Sequence, residues 1–293
     1  MQKAALRSIV MSKQKTPAKT SIADFLSQAQ RQWPKDNPFD FTLLVLAALF
    51  AFAGTVLLSI DGLQTGFFTM QMLSLMLPPI IWEHLTFMGD TLVMLTLVLL
   101  LAYRYPHLLF ALLITALIGT LYTHGIKFWL LTPRPPAILA PDSFQLIGPS
   151  ISNKSMPSGH TLTAFAAAGL LTRLTFNRAY QWLIIIAALF IGWSRIAVGV
   201  HWPADVSMGA AGGLLSAWLG LKLADKWLLY FGKRFFLILL GIHIACAIAL
   251  TGYDGGFPHT WLFAVAASAI SLAVLYQSFS AAGLLPAFTL RRR

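Results

Sequence analysis

Again and again the chain runs for about 20 residues, the length that crosses a bilayer as a helix, with almost no Asp, Glu, Lys or Arg. Stretches of this kind lie at 41–60, 86–103, 107–126, 157–173, 179–196, 203–222, 235–251 and 260–281. Only 11% of the 293 residues are charged and 57% are apolar, against about a quarter charged in a soluble domain. Too few charges remain to build a water-facing surface, which excludes a soluble globular enzyme. The sequence predicts an all-α, polytopic transmembrane helix bundle of eight spans. Residues 62–82 are uncharged too, but Gln64, Gly66, Gln71 and the pair Pro78-Pro79 suit a lipid-spanning helix poorly and predict an interfacial or re-entrant segment.

Lys and Arg collect on the cytoplasmic side of membrane proteins. With eight spans and both termini inside, that face takes Lys3, Arg7, Lys13, Lys15, Lys19, Arg31 and Lys35 of the N-terminal segment. It also takes Arg104, Arg173, Arg178, Lys222, Lys226, Lys233, Arg234 and Arg291 to Arg293. Lys127, Arg134, Lys154 and Arg195 are left outside. Letting 62–82 span would move the N-terminal cations outward, so the eight-span count prevails. The expected location is the plasma (inner) membrane, multi-pass, with both termini cytoplasmic. Residues 1–40 have no apolar core and no small-residue cleavage site, and read as a cytoplasmic tail rather than a signal peptide. Within it Ile22, Phe25, Leu26, Ala29 and Trp33 share a helical face behind a Ser21-x-x-Asp24 cap, which fits an amphipathic helix on the inner leaflet or a partly disordered tail. The net charge of +11 belongs to loops and membrane surface, not to nucleic-acid binding. Cys246 is the sole cysteine, which excludes a disulfide within the chain and a Cys-based zinc site; its role is packing. No internal repeat supports a transporter built from repeats; protein partners are left open, and the last two spans could shape a lipid portal or bind one.

The outer cations are exceptions to a strong rule, and three of them sit at span ends near histidines. In the first cluster Lys127 ends a span, and Pro133, Pro135 and Pro136 break the helix so that Arg134 can turn back toward it. Alone, this is also what snorkelling cations look like. In the second, Ser155-Met-Pro157-Ser158-Gly159-His160 opens an Ala-rich span. Free backbone N–H groups and the positive end of the helix make an anion site there, with His160 beside it to give or take a proton; a helix cap with a chance histidine is the alternative. In the third, Ser194-Arg195 is followed by Gly199, His201, Pro203 and Asp205. The four-residue spacing lets Asp205 accept a hydrogen bond from one nitrogen of His201 and leave the other free as a nucleophile, unless the two form only a salt-bridged pair. The span count puts all three clusters on one face. Three cations, a helix N-terminus and two histidines suit phosphoryl transfer. Cations surround both histidines and Asp205 is matched to His201, which argues for catalysis without metal or cofactor.

These residues follow the pattern K-x6-R-P, P-S-G-H and S-R-x5-H-x3-D with no departure: Lys127, Arg134 and Pro135; Pro157 to His160; Ser194, Arg195, His201 and Asp205. In this the sequence resembles the type 2 phosphatidic acid phosphatase superfamily, related to vanadium haloperoxidases. The resemblance implies a six-helix phosphatase core over 41–222, leaving 223–293 as two additional C-terminal spans and a cytoplasmic end. It implies that His201 attacks phosphorus to form a phosphohistidine, that Asp205 orients it, and that His160 protonates the leaving oxygen. By the same resemblance Lys127, Arg134, Ser158, Gly159 and Arg195 hold the phosphate oxygens. It also implies a phosphorylated or pyrophosphorylated lipid substrate reached from the outer leaflet: undecaprenyl pyrophosphate first, with phosphatidylglycerophosphate, phosphatidic acid or lipid A phosphates as alternatives. A lipid phosphotransferase would use the same intermediate. A non-catalytic phospholipid transporter would need the cations but not both histidines, and the haloperoxidase branch is soluble.

The other polar residues take structural readings. His84, His107, His124, His243 and His259 are interfacial or packing histidines, with His124 one turn before Lys127. Asp90 is a cap or a contact to a neighbouring helix. Gly209, Gly212 and Gly213 predict close helix packing. Asn153-Lys-Ser155 fits a glycosylation sequon beside the expected site.

Overall fold

The computed structural model describes residues 21–285, and no strand occurs among them. The N-terminal cations Lys3 to Lys19 and the terminal Arg291 to Arg293 lie outside the described residues. In chain order the helices are α1 (Ile22–Gln32), α2 (Phe39–Asp61), α3 (Phe67–Ser74), α4 (Pro79–Met88), α5 (Thr91–Leu97) and α6 (His107–Leu130). Then follow α7 (Pro135–Ile138), α8 (Gly159–Thr172), α9 (Arg178–Ala197), α10 (Pro203–Trp227), α11 (Lys233–Leu250) and α12 (Trp261–Ala281).

Six of these, α2, α6, α9, α10, α11 and α12, are long and apolar enough to cross a membrane, and the α4–α5 pair makes up to seven. The expected count of eight regular spans is therefore corrected at two places. The stretch expected at 86–103 starts earlier, at Pro79, and bends by 67° between Met88 and Thr91. Gly89 and Asp90 make the break, and the Asp90 carboxylate caps the new helix by accepting the Leu92 N–H at 2.7 Å. α4 packs at the Glu83–His259 end of the bundle, while Leu99 joins Phe236 and Phe279 at the other, so the bent pair still connects the two ends. The stretch expected at 157–173 forms α8, whose 14 residues rise about 21 Å, well short of the roughly 30 Å hydrocarbon layer. α8 is short because it is surrounded by α2, α6, α9 and α10, so protein rather than lipid is its environment. Between α2 and α4 the expected non-spanning segment contains the eight-residue α3, with Phe67 buried against Trp202 at 5.0 Å between ring centroids.

The N-terminal segment forms the expected amphipathic helix, but its apolar face meets the bundle rather than the inner leaflet. Ser21 caps α1 by accepting the Asp24 N–H at 3.1 Å. Its apolar face, with Phe25, Leu26 and then Trp33, is covered by the bundle through Tyr103, Phe236 and Phe279.

α8 and α10 cross closely because glycine permits it. A Cβ on Gly209 would stand 2.6 Å from the Ser158 carbonyl oxygen, and one on Gly213 2.5 Å from that of Leu162. Gly212, on the neighbouring face, makes room for the Tyr122 ring of α6. This contact seats the N-terminus of α8 beside that of α10. The Ser158 N–H donates to the Asp205 carbonyl at 3.0 Å.

Candidate active site

His201 sits in the turn between α9 and α10, which closes through Gly199 at φ 80°. A Cβ there would lie 2.4 Å from the Gln145 carbonyl oxygen, so glycine is required. Pro203 starts α10, and the Asp205 carboxylate turns back to accept the Trp202 N–H at 2.9 Å. The same oxygen, Oδ2, lies 3.1 Å from His201 Nδ1 and accepts the Ser155 hydroxyl. His201 is 2% exposed and Asp205 fully buried.

The other ring nitrogen settles the tautomer. Arg134 Nη1 lies 3.0 Å from His201 Nε2, and a guanidinium can only donate, so Nε2 carries a lone pair and Nδ1 carries the proton toward Asp205. Burial, then the charges of Arg134, Arg195 and Lys127, hold the His201 imidazole well below its usual range. The nucleophilic form of the ring is the resting form.

Arg134 is held on three further sides. Its Nε donates to the Asn153 carbonyl at 2.9 Å, its Nη1 to the Val200 carbonyl at 3.1 Å, and its backbone N–H to Ser152 at 2.9 Å. The sequence expects the third membrane helix to end at Lys127; instead α6 continues to Leu130 and stops where Leu131 adopts φ 44°. Lys127 therefore lies one turn inside the helix end, in electrostatic reach of Arg134, Arg195 and Asp205. Arg195, 4% exposed near the end of α9, donates through Nη1 to the Thr86 hydroxyl and leaves its buried Nε without a partner among the described residues. Ser158 caps α8: its hydroxyl oxygen accepts from the Thr161 hydroxyl at 2.9 Å and faces the Thr161 N–H at 3.4 Å. Gly159 and His160 form the first turn of that helix, and His160 is in electrostatic reach of Arg195, Arg134 and Lys127.

All eight expected site residues thus gather at one end of the bundle. The sequence places Ser155 at the head of the second cluster but does not reveal that it shares Asp205 with His201, and it gives no sign of Thr86, which orients Arg195; lone hydroxyls in a membrane protein carry no pattern. Asp90 is the cap that the sequence suggests, and its second oxygen also lies 3.8 Å from His160. His124 lines a cavity of about 220 Å³ together with His160, while His107 and His243 are buried in packing contacts. Among the described residues, no group of three or more His, Cys, Asp or Glu could hold a metal ion.

The motif order and this geometry lead to the same family. Residues 104–229 match the PAP2 superfamily. That segment contains every expected site residue, and the resemblance read from the motifs is borne out. Among relatives, an undecaprenyl-diphosphatase of Sulfolobus acidocaldarius is 40% identical over 75 residues, 25% of this chain and 34% of its own. A lipid A 1-phosphatase of Porphyromonas gingivalis is 43% identical over 74 residues, 24% of this chain and 16% of its own. Undecaprenyl-diphosphatase BcrC of Bacillus subtilis is 32% identical over 112 residues, 38% of this chain and 55% of its own. The chain thus covers between about a sixth and about half of these relatives' own lengths.

Proposed function

We propose that this PAP2 protein is a membrane lipid phosphatase that removes phosphate through a phosphohistidine on His201. The observation that carries the lipid part of the reading is the cavity that includes His160. Gly159, His160, His124 and several threonines, Thr120 and Thr123 among them, give it polar walls, and Leu95, Leu112, Leu162 and Ala166 give it apolar ones. It shares Met94, Leu112 and Ala167 with a second, apolar cavity of about 400 Å³ between α5, α8 and α9. A phosphorylated headgroup among the cations, with its chain laid along Leu and Ala side chains, satisfies both halves of this surface. A soluble phosphate ester would use only one.

In this reading a dianionic phosphate draws Arg134 off His201 Nε2, and the lone pair it covered attacks phosphorus. The bond from phosphorus to the leaving oxygen breaks as His160 delivers its proton to that oxygen. Asp205 stabilises the imidazolium-like charge left on the phosphorylated ring. His160 then takes a proton from water, whose oxygen displaces His201 Nε2 and releases inorganic phosphate. Lys127, Arg134 and Arg195, with the Ser158 hydroxyl and the Gly159 N–H at the start of α8, balance the charge on the phosphate oxygens as it redistributes.

The site faces the outer side of the inner membrane in this reading, with both termini cytoplasmic. Undecaprenyl pyrophosphate is the favoured substrate, supported by two relatives named for that activity. The lipid A 1-phosphatase relative supports lipid A phosphates as the second choice. The test is phosphate release by detergent-purified protein, in EDTA, from undecaprenyl pyrophosphate, lipid A, phosphatidylglycerophosphate and phosphatidic acid, beside His201→Ala. Release from undecaprenyl pyrophosphate that the variant lacks is the expected result. Release that survives in His201→Ala, or that EDTA abolishes, would overturn the mechanism.

A further inference from the structure

A carboxylate stands behind each histidine of the site, but only Asp205 belongs to the motif. The second is Asp90, at the break between α4 and α5. Its Oδ1 is committed to capping α5, which turns Oδ2 toward His160, 3.8 Å from Nε2. That same oxygen accepts the Tyr253 hydroxyl at 3.0 Å. The approach is built into the backbone. A Cβ on Gly89 would meet the Cβ of His160 at 3.2 Å and the Ile191 side chain at 2.8 Å, so the break packs directly against the histidine.

Tyr253 comes from the loop joining α11 to α12, outside the PAP2-matching segment. Three contacts hold that loop over the site. Phe257 is buried against Gly148, Gly256 approaches Pro149, and the His259 ring lies 2.8 Å from the Glu83 carboxylate of α4. Burial and the Asp90 charge push the Tyr253 hydroxyl up to about 12, so it stays a donor to that carboxylate.

The charges facing His160 explain why a carboxylate is needed. Arg195 of α9, Arg134 of the loop after α6, and Lys127 of α6 all oppose a proton on its ring, and His201 lies beside it. Asp205 is engaged with His201, Ser155 and Trp202. Asp90, which also faces Arg195, is the other carboxylate within ion-pair distance of His160, 3.8 Å from Nε2.

We infer that Asp90, fixed by Tyr253, is the positioning residue of the general acid: it orients one ring nitrogen of His160 and leaves the other to face the leaving oxygen. The inference rests on the phosphatase reading and gives α11 and α12 a part in the chemistry. They deliver the hydroxyl that holds Asp90.

A general acid matters most when the leaving group is a poor one. The test compares kcat/KM for hexadecyl phosphate, whose alkoxide needs a proton to leave, with p-nitrophenyl phosphate, whose phenolate does not. Asp90→Asn keeps a good cap for α5, and Tyr253→Phe keeps the ring against Phe87. Each should lower kcat/KM for hexadecyl phosphate about tenfold more than for p-nitrophenyl phosphate, in the direction His160→Ala shows more strongly. Equal losses on both substrates would assign Asp90 to folding alone, and no loss would assign it no role; either overturns the inference and leaves the phosphatase reading standing. If the wild-type protein hydrolyses neither ester nor any lipid of the panel, reading and inference fall together.

Discussion

Arg134 lies on the reactive nitrogen of His201, and that contact decides how the histidine titrates. Protonating Nε2 would set an imidazolium 3.0 Å from a guanidinium inside a buried site that already holds Lys127 and Arg195. A free histidine is half protonated near pH 6.5; burial and these cations lower the pKa, so His201 keeps its lone pair as the pH falls through that value. Histidine NMR of the detergent-solubilised protein should therefore show His201 neutral at about pH 6, where an exposed imidazole is mostly charged. A midpoint at or above 6.5 would contradict the electrostatics described here. The motif makes the pairing of His201 with Asp205 legible in advance, because a spacing of four residues across a helix start fixes it. It does not reveal Arg134 on Nε2, since that contact depends on how the loop after α6 returns through Ser152 and Asn153.

At the scale of the helices, the crossing of α8 and α10 brings the two histidines together. Gly209 meets the Ser158 carbonyl, a backbone atom that cannot swing away, at the residue that caps α8. Gly209→Ala should cost about 1–3 kcal/mol of stability through overpacking and reduce phosphate release by displacing Ser158 and His160 from Asp205. Gly241→Ala on α11, where a Cβ meets nothing within 4 Å, is the control and should stay within about 0.5 kcal/mol. Thermal unfolding and activity of both variants in detergent check this; a stable, fully active Gly209→Ala would remove the crossing from the account. The small residues of α10 were readable as a packing face. The break at Gly89 and Asp90 and the shortness of α8 were not, because hydropathy records that a stretch is apolar but not whether lipid or protein covers it. α8 is covered by protein, and it can be short.

Across the whole molecule, charge separates toward the two ends of the bundle. One end holds Lys127, Arg134 and Arg195. The other is held together by Arg173, which is fully buried, donates to Asp40 at 2.5 Å and to Asp225, and reaches the Pro34 carbonyl at 2.8 Å. Trp33, just after α1, donates to the same Asp225 at 2.8 Å, so the amphipathic helix is tied to the end opposite the histidines. Arg173 is matched by carboxylates and a carbonyl and works as a structural clamp, whereas Lys127, Arg134 and Arg195 outnumber the two carboxylates of the site, Asp205 and Asp90. That imbalance awaits an anion, and it is why the cluster rather than the clamp reads as the site. The measurement that tests this most directly is rapid acid-free quenching after mixing the protein with undecaprenyl pyrophosphate radiolabelled in its terminal phosphate. Label that is acid-labile, alkali-stable, located on His201 and missing from His201→Ala is the predicted result. Label on another residue, or equal label in His201→Ala, would contradict the account.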